Sequence, residues 1–121
     1  MPYNDFTEMP VWQKADEIVG EVYKLTETLP RREDYALCSQ LRDAAISIAE
    51  GFGRGHKKDK INFYLFSRGS CFEVRSHLYS GRTAGYFSDD QIESISNKCM
   101  KVVEELNKII KGLGPQPQSQ P

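Results

Sequence analysis

The chain has little that would tie it covalently or to a membrane. Its three cysteines, Cys38, Cys71 and Cys99, are an odd number with no Cys-x-x-Cys pair. That argues against a disulfide framework or zinc site, and for small buried side chains in a reducing cytoplasm. No apolar run approaches the ~18 residues of a membrane span, so no membrane partner is expected. The opening MPYNDFTEMP has two acids, no base and no apolar stretch, so a signal peptide is not expected. Charge of one sign is lacking too. A net charge of −1 and a pI near 6.1 exclude a global pull toward nucleic acid, so any such binding needs a local patch. Histidine is scarce. His56 and His77 stand outside any metal-ligand spacing, and no cofactor is expected. No serine or cysteine has a recognisable base and orienting acid. The glycine-rich GFGRG lacks the GK[ST] end of a phosphate-binding loop and follows a helix rather than a strand. A non-enzymatic role is expected.

What is present is helical periodicity, four times over. Pro10 suits the first turn of a helix, and Val11, Ala15, Ile18, Val22, Leu25 and Leu29 follow on one face until Pro30. A second helix is expected from Glu33 or Asp34, with Leu37, Leu41, Ala44 and Ile48 as its stripe and Gly51, Gly53 and Gly55 at its end. A third spans Lys57 to about Ala84. A fourth starts with the Ser88–Gln91 capping box and continues through Ile92, Ile95, Cys99, Val102, Leu106, Ile109 and Leu113. Short connections make this an all-α fold, an antiparallel up-down-up-down four-helix bundle. Residues 1–9 form an N-terminal arm, 10–113 the bundle, and 114–121 a Pro/Gln tail expected to be disordered.

The third helix is the one on which function turns. Ile61, Tyr64, Leu65, Cys71, Phe72, Leu78 and Tyr79 fall on one broad arc, while Phe63 and Phe66 point elsewhere. A helix that is apolar on two faces is covered on two faces. Gly69, Ser76 and Ser80 share a narrow sector, which lets a neighbour come close. Phe63 and Phe66, flanked by Ile46 of the second helix, are therefore the expected oligomer interface. Arg68 and Arg75 lie within the apolar arc. With Arg42, Glu50 and Glu73, or with a carboxylate from another subunit, they are expected to form a polar network, because a buried guanidinium needs a carboxylate. The one strong basic cluster is Arg54, His56, Lys57, Lys58 and Lys60, opposed by Asp59 alone. Those five residues are the candidate nucleic-acid contact.

VWQKA at 11–15, VY at 22–23, QLRDAA at 40–45, AEGFGR at 49–54 and SRGSCFEV at 67–74 carry a family likeness. Over roughly Phe6 to Leu113 the chain resembles the 23S rRNA intervening-sequence proteins, also labelled S23 ribosomal protein. The resemblance implies a left-handed up-down bundle that assembles into homopentamers, encoded in insertions of bacterial 23S rRNA genes or elsewhere in bacterial genomes. Related accessory proteins of diversity-generating retroelements are thought to bind nucleic acid. One departure matters: AISIAEG is about four residues shorter than the family's usual stretch and lacks its asparagine. Two functions follow as expectations. One is an oligomer binding RNA or DNA through the basic cluster; the other is a protein-protein scaffold without nucleic-acid binding.

Overall fold

A computed structural model describes residues 3–53 and 59–113. The expected tail over 114–121 lies outside the described residues. The first helix, α1 (Pro10–Thr26), opens on its proline and buries Val11, Ala15, Ile18, Val22 and Leu25. Its exit is tied by Thr26 Oγ1, which donates to the Val22 carbonyl at 2.7 Å. Before α1, a 3-10 turn at Phe6–Glu8 sets Phe6 edge-on against Trp12, with ring centroids 5.6 Å apart.

The second helix does not start where the acids suggested. Arg31–Glu33 makes a 3-10 turn, and Asp34–Cys38 a wide π-type turn bent at Ala36 (φ −124°, ψ −106°). Regular helix begins only at Ser39, so α2 is Ser39–Glu50, 12 residues. Part of the reason lies far along the chain. The Glu33 carboxylate accepts from the Leu37 amide at 3.3 Å and from the Tyr86 hydroxyl at 2.9 Å, which anchors this connection to the one between the third and fourth helices. Tyr35 is left 96% exposed.

The third helix, α3 (Lys60–Thr83), and the fourth, α4 (Asp89–Gly112), are 24 residues each, about 36 Å long. Between them Gly85 takes φ +87°, and the Tyr86 amide bonds the Gly81 carbonyl at 2.9 Å, a left-handed helix stop that glycine adopts without strain. The capping box is as the sequence indicates. The Gln91 amide donates to Ser88 Oγ at 3.2 Å, and the Ser88 amide to Gln91 Oε1 at 2.8 Å.

Each helix lies against its chain neighbours, and α1 against α4 closes the square. Ile18, Val22, Leu41, Ile48, Phe52, Val74, Leu78, Ile95, Val102 and Leu106 fill the core almost without exposure. Each such side chain contributes roughly 1.5–3 kcal/mol. On α3 the core face departs from the apolar arc read from the sequence. Its buried residues are Tyr64, Ser67, Ser70, Cys71, Val74, Leu78 and Gly81. Small residues there let α2 and α4 approach. A Cβ on Gly51 would meet the Phe63 carbonyl at 2.7 Å, and one on Gly81 would strike the Phe87 ring. Among the described residues there is no strand, and no helix is long and apolar enough to cross a membrane.

Candidate functional site

Three surfaces take up the residues singled out above. The first is the α2–α3 connection. Arg54, His56, Lys57 and Lys58 lie outside the described residues. Lys60, the fifth of that group, opens α3, and its ammonium donates to the Phe52 carbonyl at 3.5 Å. It borders a cleft of about 310 Å³ with Tyr3, Asp5, Met9, Phe52 and Tyr64. The connection therefore shares its end of the bundle with the N-terminal residues. The acids that start α4, Asp89 and Asp90, lie at the other end, where Arg32 sits over the Tyr86 ring beside the α1–α2 connection.

The second surface is the outward face of α3, directly opposite its core face. Leu65 is 37% exposed, Phe66 54% and Phe72 45%. Gly69, Ser76 and Ser80 stand exposed among them, and a Cβ on Gly69 would meet nothing within 4 Å. Leu65 and Phe72 were expected inward, and this is a correction. At 100° per residue they sit beside Gly69 and Ser76, and the serines at 67 and 70 take the inward positions instead. Phe66 is exposed as expected, whereas Phe63 is half-buried near the α2–α3 crossing, its carbonyl facing Gly51.

The third surface is a groove of about 310 Å³ between α1 and α2, lined by Phe6, Trp12, Asp16, Val19, Ile46, Ala49 and Glu50. Ile46, expected to flank the α3 patch, belongs here instead. Of these residues only Ile46 and Glu50 were singled out from sequence, Ile46 for the α3 patch and Glu50 for the polar network. The signal available for the others was the widening of the α1 stripe by Trp12 and Val19.

Within the chain, the carboxylates expected for Arg42, Arg68 and Arg75 are replaced by neutral acceptors. Arg42 turns toward α1, where its Nε donates to Thr26 Oγ1 at 2.9 Å and its guanidinium lies 4.5 Å over the Tyr23 ring. Arg68 donates to Asn107 Oδ1 at 2.7 Å, and Arg75 Nε to Ser96 Oγ at 3.0 Å. Glu73 is exposed on the outward side of α3. The physical reason is that Arg68 and Arg75 are only half-buried on the edge of α3 beside α4. Water solvates the rest of each guanidinium, so no carboxylate is required. Ser96 also bonds the Tyr79 hydroxyl, and that bond, with the Arg75 guanidinium beside it, holds the phenol below its ordinary pKa. Arg82 extends the row, pairing with Asp89 at 2.8 Å. Burial pushes the Cys99 thiol up to about 12 and the Cys71 thiol higher still, so neither is a nucleophile near neutrality.

The family profile described as 23S rRNA-intervening sequence protein matches residues 7–108. No curated protein matches the chain.

Proposed function

The chain belongs to the 23S rRNA-intervening sequence protein family, and from that premise we propose a non-enzymatic bundle that self-assembles, as a homopentamer, and presents the basic 54–60 segment repeatedly to a nucleic-acid backbone. The observation that carries this reading is the outward face of α3. Three large apolar side chains stand around small residues there, on the side of the helix that the bundle itself does not cover. Such a face costs solubility in a lone chain and is the usual mark of an interaction surface.

Self-assembly gives the basic segment its weight. One chain offers about four fixed positive charges from Arg54, Lys57, Lys58 and Lys60, enough only for weak phosphate binding. Five copies would present about twenty, although their total net charge is −5. Lysines on a glycine-rich connection position a backbone rather than read base edges, so little base specificity is expected. With six phosphates neutralised, log K falls with log salt at a slope of about −4 to −5.

The test is a salt-dependent titration of the full chain against structured RNA, single-stranded RNA and duplex DNA. It is repeated after Lys57, Lys58 and Lys60 are replaced with glutamine in an assembly of unchanged mass. Loss of affinity and a shallower slope support the reading. Unchanged binding, or none by the parent chain at low salt, leaves a protein-protein scaffold as the function.

A further inference from the structure

Self-assembly through α3 requires a counterpart, and two patches of unlike shape are available. One is a ridge, Leu65, Phe66 and Phe72, on a single helix whose intervening Gly69 and Ser76 keep its profile low. The other is the concave strip between α1 and α2, with Phe6, Trp12, Val19, Ile46 and Ala49 as its apolar lining. They lie on different helices and face different directions, because α3 adjoins α2 and α4 while the groove is on the α1–α2 side.

Resting on the self-assembly reading above, we infer that the α3 ridge seats in the α1–α2 groove of a second copy of this chain. In that contact the arginine edge beside the ridge faces the groove's carboxylates. Size permits it. An apolar cavity of about 150 Å³ holds one benzene, so a groove of about 310 Å³ has room for two phenyl rings. Charge favours it. Arg68 and Arg75 border the ridge on its α4 side, and each is met within its own chain by a neutral oxygen, so both keep a full charge to offer. Asp16 and Glu50 stand exposed at the groove. Opposite charges around an apolar centre fix the register of two partners and disfavour wrong ones. A ridge-to-groove contact is heterologous. Every chain then carries one donor and one acceptor surface, and growth stops when the set closes on itself.

That asymmetry supplies the experiment. Phe72→Glu disables the ridge and leaves the groove; Ile46→Arg disables the groove and leaves the ridge. Sedimentation equilibrium and light scattering, with circular dichroism to confirm the fold, follow each variant alone and an equimolar mixture. Each variant alone is expected as a monomer, and the mixture as a dimer of doubled mass and nothing larger, because one intact ridge and one intact groove remain. A charge exchange gives a second route that spares the apolar contact. Arg68→Glu with Arg75→Glu, or Asp16→Lys with Glu50→Lys, weakens association at least tenfold, and all four together restore it.

A parent chain that assembles while the mixture stays monomeric overturns the pairing and leaves self-assembly standing. So does a ridge variant that dissociates beside a groove variant that assembles normally, the pattern of an α3-to-α3 two-fold contact. Failure of the four-fold exchange to restore association also overturns it. A parent chain that is monomeric throughout the micromolar range overturns the self-assembly reading itself.

Discussion

Gly69→Ala and Gly81→Ala are the same chemical change in the same helix, and they should move stability in opposite directions. Alanine is better than glycine inside a helix by about 1 kcal/mol, since it restricts the unfolded chain more. Within one chain nothing else changes at Gly69, because a Cβ there meets no atom within 4 Å. That variant should gain about 1 kcal/mol in the stability of the bundle. At Gly81 the added methyl strikes the Phe87 ring and comes within 3.2 Å of Leu37 Cδ2. Phe87 is 4% exposed, so its ring has nowhere to swing. Overpacking of that kind costs about 1–3 kcal/mol, which leaves a net loss between about zero and 2 once the helix gain is subtracted. The two variants should therefore differ by about 1–3 kcal/mol. Urea unfolding followed by far-ultraviolet circular dichroism reads the difference as a displaced midpoint at constant slope. Two protein concentrations separate the contribution of association, which makes the midpoint concentration-dependent. Equal shifts of the same sign would refute the packing argument and place Gly81 in open space.

Thr26→Val keeps the shape of a buried side chain and removes the acceptor of Arg42 Nε; a loss of about 1–2 kcal/mol in urea unfolding is expected. Lys98 reaches Glu17 at 2.9 Å and Glu21 at 2.5 Å. Hydrogen bonding to Lys98 lowers the Glu17 carboxyl below its ordinary 4.5, and bonding to Glu21 and then Glu17 raises the Lys98 ammonium above its ordinary 10.5. Lys98→Met should therefore be less stable than the parent between those limits. The deficit should vanish as acid carries the solution down through the lowered carboxyl pKa, and again as base carries it up past the raised ammonium pKa; a stability difference independent of pH would contradict the assignment. Cys38, Cys71 and Cys99 are all buried, so a thiol-exchange reagent should label none in the native protein and three after denaturation, as counted by mass spectrometry.

The fold was legible in the sequence wherever spacing and capping agreed. Val11 to Leu25 on α1, Ile92 to Leu106 on α4 and the Ser88–Gln91 box all lie where a 3,4 pattern puts them. On α3 the pattern misleads, because polarity and burial are exchanged. Ser67 and Ser70 face the core to let helices meet, and Leu65 and Phe72 face out. A rule that sorts apolar residues inward cannot separate a core stripe from an outer one on the same helix. The start of α2 was misplaced because its turn is anchored by Tyr86, 53 residues from Glu33. The arginine partners were missed for the same kind of reason. Asn107 is 39 residues from Arg68 and Ser96 is 21 from Arg75, and no local pattern couples them.

The chain's single tryptophan, Trp12, lines the α1–α2 groove with the Phe6 ring edge-on to it. The indole is half-buried, one part against Phe6 and the helices and the rest toward water. Its emission colour depends on how much water surrounds it, and excitation at the red edge of its band leaves the tyrosines dark. The protein thus carries an intrinsic optical gauge at one surface and no second tryptophan to blur the signal. Anything apolar that settles into the groove should move the emission toward the blue. Iodide should then quench it less, and dilution should reverse both changes without a label ever touching the molecule.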